Sequence, residues 1–317
     1  MLDRVRRTLR DRRLVRTGDH VIVAVSGGGD SVALAHLLSE LALELGISLR
    51  IACIDHGLRA ESADELRAVE RLATELDLPF EGVRLEGLPS SNLQARARDA
   101  RYAALQRIRQ ASGAASIATG HTLDDQAETV LARALNGAGL AGLAGIHPAR
   151  VDGIIRPLLD CRRTELRAYL RARGASWVED PSNESPAFER VRARRALAGL
   201  EADWPGATVH LAALADDARS AQTALRSRSR AWLARARGPR GLRLDVLRAA
   251  SRGVRAAVLR RWVRDETQRV LSRTHTRALE QLVQSGRGEV LLGEGWGAAR
   301  EGDWLVLDRR KRRTRSS

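Results

Sequence analysis

Between residues 20 and 135, short apolar, β-branched runs alternate with stretches of helical periodicity, and no hairpin turn separates them. Such runs can only be joined by right-handed crossovers, which gives a parallel sheet covered by helices on both faces. The expected strands are 20–25, 48–54, 80–85 and 115–119, and the expected helices are 31–45, 61–76, 92–110 and 123–135, after an amphipathic first helix. Ligands of such a sheet bind at the carboxyl ends of its strands, so the residues just after Val25, Ile54 and Thr119 are the ones to inspect. All three places carry polar clusters.

Beyond Pro157 the strand signal fades, 163–173 looks helical, and Pro205-Gly206 marks a boundary. From 208 to about 284 the chain reads as Arg- and Ala-rich helices, and from 289 to 307 as short strands broken by glycines. The fold class is therefore α/β: a parallel twisted sheet flanked by helices over 1–205, then a smaller, mostly helical domain over 206–308 that ends in short strands. A basic, low-complexity tail at 309–317 cannot pack a core.

Composition narrows the partners. The 54 basic residues exceed the 39 acidic ones by 15, an excess that draws a protein toward a polyanion such as nucleic acid. Lys311 is the only lysine, so neither a Walker-type phosphate lysine nor a Schiff-base lysine is available elsewhere. The arginine preference itself is as well explained by a GC-rich coding bias. Cys53 and Cys161 are far apart, which excludes a disulfide scaffold or a zinc knuckle and fits a reducing, cytoplasmic setting. No run of 18 apolar residues and no secretory leader are apparent, so no membrane association is expected.

Ser26-Gly27-Gly28-Gly29-Asp30-Ser31 lies between the first strand and its helix. Glycines there allow positive φ and close backbone approach, while the first helical N–H groups point outward, an arrangement that binds phosphate. Asp30 beside phosphates makes sense mainly as a Mg²⁺ ligand. An ordinary glycine turn capped by Asp30 or Ser31 is the plainer reading. After the fourth strand comes the segment 119–129, in which His121, Asp125 and Glu128 recur at i, i+4 and i+7 and would share a helix face. That set suits metal binding, polar contact with a nucleotide, or proton transfer; an acidic first turn with a capping histidine would look the same.

The loop S-G-G-x-D-S resembles the signature of the N-type ATP pyrophosphatases. The further motifs narrow the resemblance to the tRNA(Ile)-lysidine synthases, in a short form: G-H-T-x-D-D-Q-x-E-T at 120–129, the glycine-rich 136–145, Asp55-His56-Gly57-Leu58-Arg59, Ala97-Arg98-Asp99-Ala100-Arg101-Tyr102, Arg156-Pro157-Leu158-Leu159 and Glu179-Asp180-Pro181-Ser182-Asn183. The match covers about residues 21–195, with a fainter likeness near the C-terminus.

The resemblance implies an ATP- and Mg²⁺-dependent ligase that joins free L-lysine to the first anticodon cytidine of a tRNA(Ile) with a CAU anticodon. It implies that Ser26, Gly27, Gly28, Gly29, Asp30, Ser31 and Gly120 bind ATP, and that Asp30 and Asp125 hold metal. Asp30, His121 and Asp125 would act catalytically, with Arg98 or Arg101 as the cation on developing phosphate charge. Asp55, His56, Arg59, Asp180, Asn183, Arg190, Arg192 and Arg194 would face the RNA. The sequence departs from the family at Val191, where asparagine is usual. The additional C-terminal domain of longer relatives is not apparent, so tRNA recognition would rest on fewer surfaces, and a homodimer stays open. Two alternatives remain: another enzyme of the same fold, such as an RNA thiolase or an amide-forming synthetase, and a basic RNA-binding protein without catalysis.

Overall fold

The computed structural model describes all residues except 56–61, 86–92, 180–188, 286–287 and 310–317. His56, Arg59, Asp180, Asn183 and the tail beyond Arg309 therefore lie outside the described residues. The chain divides into two compact units, Met1–Ala218 and Arg219–Ser317.

In the first unit α1 (Leu2–Asp11) precedes the alternation β1 (His20–Ala24), α2 (Gly29–Leu45), β2 (Ser48–Asp55), α3 (Ser62–Glu75), β3 (Phe80–Arg84), α4 (Leu93–Ala111), β4 (Ser116–Ala118), α5 (Leu123–Leu135), α6 (Leu140–Leu143), β5 (Ile154–Ile155), α7 (Arg163–Ala172) and α8 (Glu189–Asp203). The five strands are parallel and run in the order β3-β2-β1-β4-β5, so the order reverses beside β1. A ligand crevice forms at such a reversal because the crossover helices on its two sides leave toward opposite faces.

The strands read as continuous apolar runs because both faces are buried. Val21 and Val23 pack with Leu34, Leu37, Leu38 and Leu41 on one face, while Ile22 packs with Leu105, Ile108, Ile117 and Ile154 on the other. Helix α2 ends where Gly46 takes a left-handed conformation, φ +62°, which a glycine adopts without Cβ strain. The two-residue β5 went unread in the sequence because it is too short to show a period.

The second unit has its own core. After α9 (Ala207–Ala236), which begins in the first unit, come β6 (Arg237–Gly238), β7 (Gly241–Arg243), α10 (Leu244–Ala249), α11 (Arg252–Thr267), α12 (Arg273–Ser285), β8 (Glu289–Gly293), β9 (Trp296–Glu301) and β10 (Trp304–Arg309). Its strands form an antiparallel sheet in the order β6-β7-β10-β9-β8. Trp262, Leu259 and Val258 of α11 and Leu279 and Val283 of α12 are buried against Leu292, Ala298 and Leu305 of that sheet. Among the described residues, no helix is long and apolar enough to cross a membrane.

Candidate active site at the carboxyl edge of the sheet

The chain leaves β1 through Ser26 and turns at Gly27, whose φ of +80° is open to glycine and strained for other residues. Gly28 caps α2, and the first-turn N–H groups of Gly29 and Asp30 have no intrahelical acceptor. Ser31 closes the turn: its hydroxyl donates to the Gly28 carbonyl at 2.7 Å and accepts from the Ser26 N–H at 3.1 Å. The Val178 N–H donates to the Gly27 carbonyl at 3.0 Å, so the segment before residue 180 straps the loop from outside.

Gly120, just past β4, meets this loop. A Cβ there would lie 3.1 Å from the carbonyl carbon and oxygen of Asp30 and from the Ser31 nitrogen. Those are backbone atoms that cannot swing aside, so only glycine lets the two loops approach. This juxtaposition brings together residues that lie far apart in sequence.

Thr122 is the N-cap of α5, and it shares a capping box with Asp125, whose carboxylate accepts from the Thr122 N–H at 2.8 Å. His121 therefore precedes the helix instead of sharing its face, and the cap is threonine, not histidine. The His121 ring sits 3.0 Å, through Nδ1, from the Thr119 hydroxyl. Asp125 and Glu128 are on the helix, 5% and 1% exposed.

These carboxylates face guanidinium groups. Arg163, the first residue of α7, reaches Asp30 at 3.3 Å, Asp125 at 2.6 Å and Glu128 at 3.4 Å. Arg167, one turn later, reaches Asp30 at 3.1 Å and lies over Gly29, where any side chain would displace it. From α8, Arg190 holds Asp125 at 2.7 Å and Glu128 at 3.1 Å, and Arg194 holds Glu128 at 2.8 Å. Arg192 lies on the same helix and is exposed. Val191 is 8% exposed, so an apolar side chain suits the position.

Arg98 and Arg101 do not touch Asp30: they stack on Tyr102, with guanidinium carbons 5.2 and 5.5 Å from the ring centroid. The cations at the phosphate loop are Arg163 and Arg167, which sequence reasoning did not single out. Asp55 ends β2, buried, with Arg84 at 3.6 Å.

Burial raises the carboxyl pKa of Asp30, and the nearby Asp125 adds to this against the opposing pull of Arg163 and Arg167. Burial also acts on Asp125, but there Arg190 and Arg163 prevail and hold its pKa below the usual carboxylate value. His121 is kept neutral, its pKa lowered first by burial and then by Arg156, Arg190 and Arg98 against Asp125. The folded state thus resists protonating His121, while the unfolded chain takes up a proton near pH 6.5. Stability should fall as pH drops through that value toward the lower folded pKa. In urea unfolding at pH 7 and pH 5, His121→Gln should lose about 1–2 kcal/mol less between the two than the parent chain. Equal losses would contradict the assignment.

Burial pushes the thiols of Cys53 and Cys161 up to about 12. Neither is a thiolate at neutral pH.

The comparisons agree with this geometry. The family described as the PP-loop domain matches residues 2–200, and that described as the TilS substrate binding domain matches 242–306. A tRNA(Ile)-lysidine synthase of Ruegeria pomeroyi is 49% identical over 182 residues, covering 56% of this chain and 43% of that protein. One from Symbiobacterium thermophilum is 47% identical over 203 residues, covering 61% and 42%, and one from Rhodopseudomonas palustris is 45% identical over 189 residues, covering 58% and 55%. The match therefore spans about half the length of these relatives. A U34-tRNA thiolase from Methanococcus maripaludis, solved with its [4Fe-4S] cluster, superposes with a TM-score of 0.58 over 68% of this chain and 76% of that one, at 22% identity. At that identity the likeness is one of fold.

Proposed function

This chain belongs to the PP-loop domain family, and from that premise we propose that it is a tRNA(Ile)-lysidine synthase, which uses ATP to join free L-lysine to the first anticodon cytidine of a tRNA with a CAU anticodon. The observation that carries the reading is the meeting of the phosphate loop with Gly120, the residue before His121, together with the identity of 44–49% to synthases of that name over the same region. In the reaction the cytosine O2 attacks the α-phosphate of ATP, pyrophosphate leaves, and the ε-amine of lysine then displaces AMP at cytosine C2.

The N–H groups of Gly29 and Asp30 and the hydroxyls of Ser26 and Ser31 would cradle the phosphates. Asp30 and Asp125 supply hard oxygen donors near enough to perturb one another, and Mg²⁺ is commonly held by one or two carboxylates plus substrate phosphate. When bound, Mg²⁺ neutralises phosphate charge. Arg163 and Arg167 would turn from Asp30 to the phosphates, stabilising charge where it develops. His121, neutral and tethered through Nδ1, keeps Nε2 for proton transfer.

The target base lies in a single-stranded loop, so binding energy goes to positioning and not to melting a helix. The thiolase alternative fits poorly, since a cluster or persulfide carrier requires cysteine thiolates and both cysteines here are buried thiols. The test is incubation with ATP, Mg²⁺, labelled lysine and the CAU tRNA. Label should enter the RNA in step with AMP formation, whereas binding of tRNA without AMP formation would favour a non-catalytic RNA-binding protein.

A further inference from the structure

Beside His121 lies a cavity of about 360 Å³ whose walls include Arg98, Arg150, Arg156 and Arg190 together with the carboxylates of Glu128 and Glu189, the first held by Arg190 and Arg194 and the second by Asn136. Arg190 is committed to Asp125 and Glu128. The other three are not neutralised in the same way. Arg156 is 4% exposed, yet its Nη1 donates to the His147 carbonyl and its Nε has no hydrogen-bond partner, so this buried guanidinium lines the cavity with no ion-pair partner of its own among the described residues. Arg98 has no carboxylate partner among the described residues and Arg150 has one, Asp152 at 2.7 Å.

The arrangement concentrates like charge. The guanidinium carbons of Arg98, Arg101 and Arg150 all lie within 5.5 Å of the Tyr102 centroid. A ring has two faces, and cation–π attraction is modest at exposed sites, so stacking alone does not offset three crowded cations with Arg156 behind them. Burial lowers the pKa of Arg156 and of half-buried Arg101; Tyr102 opposes it in both, and repulsion from Arg150 and Arg98 on Arg156, and from Arg98 and Arg190 on Arg101, adds to it. Two exposed arginines above a buried one form a seat with depth, shaped for an anion entering from solvent.

We propose that Arg98, Arg150 and Arg156 bind one phosphodiester of single-stranded RNA, the phosphate adjoining the nucleotide presented to His121. The identification of RNA rests on the proposed function; the need for an anion does not. Nucleotide phosphates already have their seat at Gly28–Asp30, beyond Gly120, which leaves the phosphate of the strand that carries the target base and the carboxylate of free lysine. Loss of hairpin binding on adding lysine to the parent chain would assign the seat to the carboxylate and overturn the proposal. Phosphate contacts of this kind fix register without reading sequence.

The test uses the full chain and a hairpin RNA with a CAU loop, without ATP or lysine, in which each loop phosphate in turn is replaced by a neutral methylphosphonate. With the parent chain, one substitution adjoining the target cytidine should weaken binding about tenfold. With Arg98→Gln/Arg150→Gln, both changes at exposed positions, binding of the unmodified hairpin should fall by a similar factor. The salt dependence should flatten by about 0.7 in log–log slope for the lost phosphate, and that same methylphosphonate should then cost little more. Losses that simply multiply at every position would overturn the proposal. So would weaker inhibition by inorganic pyrophosphate with RNA binding unchanged, which would assign the seat to a nucleotide-derived phosphate. A chain that shows the expected pattern but ligates no lysine would defeat the proposed function and leave the seat standing.

Discussion

Asp30→Asn should convert almost no ATP to AMP and pyrophosphate while unfolding at or near the parent temperature. The two halves of this result have one origin. Asp30 is the carboxylate of the phosphate loop, and burial together with Asp125 already opposes its charge. Asparagine keeps the shape and removes a charge that the fold does not need. Its cationic neighbours keep other partners: Arg163 retains Asp125 at 2.6 Å and Arg167 remains stacked over Trp177 at 5.4 Å. What would be lost is the proposed metal- and phosphate-side role of Asp30, which for one preorganised electrostatic group amounts to about 10²–10³ in turnover. Turnover near the parent rate would remove Asp30 from the site, and a collapsed unfolding temperature would make it structural.

Arg163→Gln should show the opposite balance, with a large loss of stability. This guanidinium is the common partner of Asp30, Asp125 and Glu128, and Glu128 is 1% exposed. Removing one partner of a buried ion pair leaves charge uncompensated, at a cost of about 3–5 kcal/mol; the low end is expected because Arg190 and Arg194 still hold Asp125 and Glu128. Without Arg163 the Asp30 pKa, already raised by burial, would rise further. A raised carboxyl pKa favours the folded state below the unfolded value and loses that benefit as pH climbs through the folded one. The deficit should therefore be greater at pH 7 than at pH 4. Adding Asp30→Asn to Arg163→Gln should recover part of it, and urea unfolding of the two single variants and the double variant measures the coupling. Strict additivity would show that Arg163 and Asp30 do not interact.

Sequence patterns exposed the catalytic frame unevenly. The run from His20 to Asp30 was legible because β-branched residues, three glycines and a helix start leave few conformations open, and the structure places β1, the Gly27 turn and α2 there. Thr122 and Asp125 were read as part of a polar cluster, but their capping box depends on where α5 begins, and periodicity locates helix ends poorly. Arg163 and Arg167 were invisible for a compositional reason: in a chain whose basic residues are nearly all arginine, a guanidinium carries little information until a carboxylate is placed beside it. Arg98 and Arg101, which the resemblance implies as the cations on phosphate charge, both stack on Tyr102, and Arg98 borders a cavity that no linear motif describes.

The central claim is that an RNA cytidine, activated at the phosphate loop, accepts lysine. In the proposed reaction the nucleophile is the cytosine O2 and the displacement occurs at C2, which would tie the chemistry to that base at one position. The most direct measurement compares labelled lysine incorporation, with ATP and Mg²⁺, into two tRNAs that differ only in carrying cytidine or uridine at the first anticodon position. The account predicts label in the cytidine tRNA alone, accompanied by AMP. Equal labelling of both, or AMP formed with label in neither, would contradict it.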